Sequence, residues 1–178
     1  MKETAVARRY ARALVEKYPA ALDLEAIGRD LTAFSLLFEA ERTLKMTMMN
    51  PSIPSGAKEA ILAGVMGKMG LADPSQKGLA LILAKGRLGL IRFVAAEFER
   101  ISFQALGKVR AVVTSAGPLT DAEKDSLRKS LTAFSGKEAV METRVDPSLI
   151  GGVVARIGSV VYDGSVANQL KTLRVRLS

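Results

Sequence analysis

The stretch that divides the chain reads Leu106-Gly107-Lys108-Val109-Arg110-Ala111-Val112-Val113-Thr114. Before it, apolar residues recur every three or four positions, which is the spacing of amphipathic helices. Within it, Val109, Ala111 and Val113 alternate with their neighbours in a β-branched run that is typical of a strand. The 178 residues are enough for two small domains. We therefore predict a mostly α protein with a helical domain over residues 1–106 and a small α+β domain over residues 107–178.

The N-terminal part predicts six helices joined by short connections. Their approximate ranges are 4–18, 24–38, 44–49, 55–69, 75–85 and 88–106. Proline and glycine mark several of the breaks, and Ser55 is placed to cap the fourth helix. Six helices over about 100 residues are enough to bury a core of their own as a bundle.

The first helix carries two apolar stripes where a surface helix normally needs one. The stripes consist of Val6, Tyr10, Ala13 and Leu14, and of Ala7, Ala11, Val15 and Tyr18. A second stripe predicts that this helix lies between its own core and another partner. The sequence does not decide which stripe faces the core.

After Gly107 the pattern alternates between strands and helices. Thr120 and Glu123 form a capping box that opens a helix ending at Gly136. Strands are predicted over 109–114, 140–145, around the segment that follows Gly151-Gly152, and over 160–162. A last helix over 166–177 places three leucines on one side, at positions 170, 173 and 177.

The residue types that are missing exclude many activities. The chain has no cysteine and no histidine, which excludes Ser-His-Asp triads, HExxH zinc helices, thiolate chemistry and disulfides. Its glycines do not form a P-loop or a dinucleotide fingerprint. No apolar window reaches 18 residues, so no membrane span is predicted. The amphipathic N-terminus, which contains Glu3 and Glu16, is interpreted as part of the fold and not as a transit peptide.

Two alternative functions are suggested by the residue types. The formal charge of +8 suits a basic nucleic-acid-binding helical protein, but the excess is four on either side of Leu106 and aromatic side chains are few. Asp146 and Asp163 would be the acid–base pair of a carboxylate enzyme. Both precede Pro or Gly, however, at turn positions where aspartate bonds its own backbone.

Several motifs are similar to one known family. In the helical part they are Ala7-Arg8-Arg9-Tyr10-Ala11-Arg12-Ala13-Leu14, Asn50-Pro51-Ser52-Ile53-Pro54 and Ala84-Lys85-Gly86-Arg87-Leu88. Near the C-terminus they are Val145-Asp146-Pro147-Ser148-Leu149-Ile150-Gly151-Gly152-Val153-Val154-Ala155-Arg156-Ile157-Gly158 and Tyr162-Asp163-Gly164-Ser165-Val166. From about residue 5 to the last, the chain resembles the delta subunit of F-type ATP synthases, whose mitochondrial counterpart is the oligomycin-sensitivity-conferring protein. Ser159 departs from the acidic residue expected there.

The resemblance implies a mechanical role. Such a subunit would be non-catalytic, part of the peripheral stalk or stator, and would join the alpha/beta catalytic head to the stalk b subunits so that rotor torque drives ATP synthesis. It implies no cofactor, metal, catalytic residue or nucleic-acid partner, and no homo-oligomer. It implies a peripheral location, through the complex, on the cytoplasmic face of a bacterial plasma membrane.

The resemblance also implies where the partners bind. A groove between the first and fifth helices would take the N-terminal helix of an alpha subunit, and the C-terminal domain would meet the stalk. The residues expected at the groove are Arg9, Tyr10, Ala13, Leu14, Lys17, Leu79, Ile82 and Leu83. Arg8, Arg9 and Arg12 would border it and attract acidic partner residues. The residues expected to form the structural signature are Asp146, Gly151, Gly152, Arg156, Asp163 and Ser165.

Overall fold

A computed structural model of the chain describes residues 2–158, 160–168 and 170–171. The chain forms two compact units, Met1–Ser102 and Phe103–Ser178. The division between them therefore lies a few residues before Gly107, inside the last turn of a helix. We call them the helical unit and the C-terminal unit.

Six α-helices occur in the described residues before Gly107, as predicted. They are α1 Lys2–Lys17, α2 Ala21–Ala40, α3 Arg42–Met49, α4 Ser55–Met69, α5 Asp73–Ala84 and α6 Ile91–Ala105, with a 3-10 turn at Leu88–Leu90 before α6. Ser55 does not cap α4, because Pro54 with its extended backbone occupies the N-cap position and Ser55 is already helical.

The core of the helical unit is built on α2. Its apolar residues at spacings of three and four are at most 2% exposed, from Leu24 through Ile27 and Leu31 to Phe34 and Phe38. The rings of Phe34 and Phe38 stack with centroids 6.0 Å apart. Burial of this stripe supplies the main hydrophobic contribution to the bundle, since each buried large side chain contributes about 2 kcal/mol.

The start of α5 is capped from another helix. Ala72, at the N-cap, has no side-chain acceptor, and Asp30 of α2 takes that place. One Asp30 carboxylate oxygen accepts hydrogen bonds from the Ala72 N–H at 2.8 Å and from the Ser75 hydroxyl at 2.6 Å. Ser75 is fully buried, so these bonds fix α5 to the core at its first turn.

The C-terminal unit is a four-stranded sheet with a helix on one face. Its elements are β1 Lys108–Ser115, α7 Asp121–Ser135, β2 Glu138–Val145, β3 Val153–Ile157 and β4 Val160–Asp163. The strand order is β2-β1-β3-β4. β1 is parallel to β2 and antiparallel to β3, and β3 forms an antiparallel hairpin with β4. The structure thus confirms a mostly α chain with a small α+β part.

The helix α7 connects the two parallel strands and covers the sheet. The predicted capping box is present: the Thr120 hydroxyl accepts from Glu123 N–H, and the Glu123 carboxylate accepts from Thr120 N–H. Leu131 of α7 packs in one buried cluster with Ala111 and Val113 of the central strand. These small and β-branched residues let the helix lie close to the sheet.

The segment between β2 and β3 is pinned against the end of β4. Gly152 has φ +80, and a Cβ built on it would lie 2.4 Å from the carbonyl oxygen of Gly164. Backbone bonds join Gly164 N–H to the Val153 carbonyl and Val166 N–H to the Gly151 carbonyl, both at 3.0 Å. Only glycine fits such a close approach in the left-handed region.

The predicted last helix lies partly in the described residues. The backbone is helical at 166–168 and 170–171. The predicted leucines at 173 and 177 lie outside the described residues.

We expect Gly152→Ala to destabilise the C-terminal unit by about 2–4 kcal/mol, because the added methyl group meets the Gly164 carbonyl oxygen, in a residue whose N–H is hydrogen-bonded to the Val153 carbonyl. Hydrogen exchange of the β1 amides, followed by mass spectrometry, measures this loss of stability in the C-terminal unit alone.

Gly117→Ala is the matched control for this substitution. A Cβ at Gly117 meets nothing within 4 Å, so β1 protection should stay at the wild-type level. Equal protection in Gly152→Ala and Gly117→Ala would contradict the role given to the close approach.

Candidate functional site

The structure decides which stripe of α1 faces the core. Ala7 and Ala11 are fully buried and Val15 is 9% exposed, so this second stripe packs inward. On the other stripe, Tyr10 is half-buried and Ala13 is exposed. This stripe faces the cleft described next.

An apolar cleft lies between α1 and α5, in the position that the sequence predicts for a groove. Its lining residues are Tyr10, Ala13, Leu14, Lys17 and Tyr18 on α1 and Lys77, Gly78, Leu81 and Ile82 on α5. We call it the α1/α5 cleft. Its hollow has a volume of about 80 Å³.

Five of the eight predicted groove residues line this cleft, and three do not. Tyr10, Ala13, Leu14, Lys17 and Ile82 form part of the lining.

The other three predicted residues lie elsewhere. Leu79 is fully buried in the core of the helical unit, and Leu83, 9% exposed, borders two other hollows. Arg9 is exposed and precedes Ala13 by one helical turn. It therefore lies on the same side of α1 as Ala13 but is not part of the lining. Leu79 and Leu83 do not line the cleft, and the sequence could not show this because every residue from Gly78 to Ala84 is apolar.

Four lining residues were missed by the sequence argument: Tyr18, Lys77, Gly78 and Leu81. Leu81 is 49% exposed, and it also borders a second hollow, between α4 and α5, of about 410 Å³. The continuous apolar run from Gly78 to Ala84 contains no period that would orient α5, and so gave no signal for Leu81.

Cations stand at the edge of the cleft. The Lys17 ammonium lies 5.5 Å from the centre of the Tyr18 ring, within cation–π range. Lys77 pairs with Asp73 one turn earlier on α5, and the hydrogen bond that its ammonium donates to that carboxylate raises the pKa of Lys77. An apolar hollow with lysines at its border fits an amphipathic helix that carries acidic residues beside its apolar face.

Arg8 does not border the cleft as predicted. Its guanidinium donates to Glu97 of α6 at 2.9 Å, and Arg100 donates to the same carboxylate oxygen. The Glu97 side chain is 13% exposed. The hydrogen bond from Arg8 and those from Arg100 hold the pKa of Glu97 below its ordinary value. Arg8 therefore ties α1 to α6, although its side chain is 51% exposed. Arg9 and Arg12 of α1 are exposed as well.

The signature residues of the C-terminal unit serve its turns. Asp146 accepts from Ser148 N–H at 2.9 Å, and Asp163 accepts from Ser165 N–H at 3.0 Å. Hydrogen bonds from the Ser148 and Ser165 side chains, followed by those from the two backbone N–H groups, lower the pKa of Asp146 and Asp163 respectively, the opposite of what a general acid needs. Ser165 is buried, and its hydroxyl accepts from Asn168 N–H.

Arg156 lies on the face of the sheet away from α7. It is opposite Val112 of β1 and Val161 of β4 in the strand register. Within the described residues no group of three or more carboxylates is placed to bind a metal ion.

Known proteins match this chain along almost its whole length. The sequence profile of the ATP synthase delta (OSCP) subunit family matches residues 6–177. The chain belongs to that family. Bacterial relatives named ATP synthase subunit delta include that of Desulforamulus reducens, 38% identical over 177 residues with 99% of this chain and 97% of the relative covered. That of Geotalea uraniireducens is 35% identical over 174 residues, with 98% and 97% covered.

A solved structure shows the same fold. A chain of the Toxoplasma gondii mitochondrial ATP synthase hexamer overlays with a TM-score of 0.65 at 17% identity, and 96% of each chain is covered. Family membership makes this protein a non-catalytic subunit of the peripheral stalk of an F-type ATP synthase. No described helix has the length and apolar character needed to cross a bilayer.

The Glu97 contacts predict a pH dependence. Since the pKa of Glu97 is lower in the folded chain, its contribution is present above the carboxyl's ordinary pKa of 4.5 and is lost as pH falls through the folded value. We expect Glu97→Gln to lower the free energy of unfolding by about 1 kcal/mol at pH 7 and by a smaller amount at pH 3.

Urea titrations of the wild type and of Glu97→Gln at several pH values, followed by circular dichroism, measure the difference in their free energies of unfolding. The other carboxylates contribute equally to both proteins and so cancel in this difference. A deficit that is the same at pH 3 and pH 7 would show that the substitution acts by packing and not by charge.

Proposed function

We propose that the α1/α5 cleft binds the N-terminal helix of an ATP synthase alpha subunit. The observation that carries this proposal is an apolar stripe on α1 that the bundle covers only in part. Its Leu14 is buried, whereas Tyr10 and Ala13 are open to the cleft. The exposed Leu81 of α5 lines the same cleft. When a partner helix binds in such a groove, its own apolar stripe packs between the apolar surfaces of the two helices that form the walls. Lys17 and Lys77 at the border suit an acidic partner.

The C-terminal unit, on this proposal, contacts the stalk b subunits. Ile150 supports it, because this large apolar side chain is 80% exposed although the turn that displays it is well ordered by hydrogen bonds. Leu149 N–H donates to the Asp146 carbonyl on one side, and Val166 N–H donates to the Gly151 carbonyl on the other. Val166, which lies against Gly151, is also 38% exposed, and neighbouring exposed apolar side chains of this kind are typical of an interface.

A chain that contacts both the catalytic head and the stalk would act as a stator, because it would hold one fixed relative to the other. The part over residues 1–106 would hold the catalytic head and the part over residues 107–178 would hold the stalk, so that torque from the rotor is not lost in turning the head. The protein would then be peripheral to the membrane through the complex, on the cytoplasmic face of the inner membrane of a bacterium, in line with the bacterial origin of its relatives.

We expect Ala13→Asp to weaken binding of a synthetic peptide of the alpha subunit's N-terminal helix by more than about 2 kcal/mol, roughly 30-fold, because a carboxylate would be buried in the apolar cleft without a designed partner. Calorimetry on the full chain measures the affinity. Ala13 is exposed, so the variant should fold.

Ala33→Asp is the control, since Ala33 is an exposed alanine on α2, away from the cleft. Its affinity for the peptide should equal that of the wild type. Equal binding by the two variants would place the peptide elsewhere, and the absence of binding to the wild-type chain would refute the proposal.

We expect Ile150→Asp to reduce the recovery of b subunits with the tagged chain, from a membrane extract, at least fivefold, because an apolar contact would be replaced by a charge. Peptide binding at the cleft should not change. Leu22→Asp, at a leucine 82% exposed on α2, should recover b subunits normally. Full recovery with Ile150→Asp would place the stalk contact on another surface.

A further inference from the structure

Gly78 is a helical glycine with a close neighbour. It lies in the middle of α5 and is buried. A Cβ built on it would be 2.9 Å and 3.4 Å from the two Cδ atoms of Leu14. Gly64 and Gly67 of α4 are also helical, but a Cβ on either would meet nothing within 4 Å.

This contact places Leu14 at the bottom of the α1/α5 cleft. Its side chain rests on the bare backbone of α5 and is 7% exposed. Ile82 follows Gly78 by one turn and Tyr10 precedes Leu14 by one turn, and both line the same hollow. A methyl group at position 78 would push Leu14 into that hollow, because a contact of 2.9 Å is too short for carbon atoms.

The hollow is small. Its volume is about 80 Å³, whereas a cavity of about 150 Å³ admits a benzene ring. The hollow therefore has room for one aliphatic side chain above Leu14, and an aromatic ring at that position would have to displace Leu14 or stay outside the hollow.

We propose that Gly78 determines specificity by seating Leu14, so that the cleft takes a helix with one aliphatic anchor side chain above Leu14 and rejects an aromatic side chain at that position. This inference rests on the proposed binding of a helix in the cleft. It adds the kind of residue that the partner must present, and the residue of this chain that selects it.

The test uses the full chain and alpha-subunit N-terminal peptides, with affinities measured by calorimetry. An alanine scan of the peptide on the wild-type chain first identifies the anchor as the apolar position with the largest loss. Replacing that anchor by phenylalanine should then weaken binding to the wild type at least tenfold.

Two variants change the depth of the cleft in opposite directions. Gly78→Ala should weaken binding of the native peptide at least tenfold. The peptide with alanine at the anchor should bind Gly78→Ala and the wild type with affinities that agree within twofold. Leu14→Ala should shift preference at least fivefold toward the phenylalanine peptide. In Gly78→Ala, a second change, Leu14→Val, should restore most of the lost affinity by removing a carbon from the same contact.

Gly64→Ala is the control for an added methyl group on a helix, and its peptide affinities should match those of the wild type. Parallel losses for all peptides in Gly78→Ala, or no change of preference in Leu14→Ala, would overturn the inference. If Gly78→Ala does not fold, as judged by its helical circular dichroism, the preference of Leu14→Ala decides alone. Absence of any peptide binding to the wild type would overturn the proposed function as well, whereas binding without anchor discrimination overturns only this inference.

Discussion

A single helix cannot bury two apolar faces in one small core, and this geometric constraint governs the helical unit. On α1 the alanine stripe at positions 7 and 11 lies fully inside, so the stripe with Tyr10 is left at the surface. The same holds for α5, where Ile82 is buried and Leu81 is half exposed. Because the two uncovered faces are neighbours, they form one apolar cleft and not two scattered patches.

Each wall of this cleft is attached separately to the rest of the bundle. The α5 wall is fixed at its first turn by Asp30, through a carboxylate that replaces the missing cap of Ala72. The α1 wall is attached to α6 through Arg8 and Glu97. Neither attachment occupies the lining. The walls of the cleft are therefore in place in the chain alone, and binding of the proposed helix would need little ordering of them, which would reduce the loss of conformational entropy.

The sequence predicts the elements well and their orientations less well. The spacing on α2 and the change of pattern at Gly107 suffice for the fold class, because each depends on a local period. The α1 side of the cleft also follows from spacing, since two separate stripes leave only two possible orientations. On α5 the run through Leu79, Leu81 and Leu83 is apolar all round, and only packing fixes its rotation. The prediction that Arg8 borders the cleft is wrong for a related reason. No local pattern indicates that Glu97, far along the chain, pairs with Arg8.

The position of β1 has a mechanical consequence. The chain passes from α6 through Leu106 and Gly107 directly into β1, which is the inner strand bonded to β2 on one side and to β3 on the other. The turn that displays Ile150 lies at the opposite end of the sheet, where Ser115 pairs with Val153. Tension between α6 and that turn therefore runs along the strands, and it loads both hydrogen-bonded ladders in shear. A sheet loaded in this way yields only when many bonds fail together, whereas an edge strand pulled sideways would unzip bond by bond.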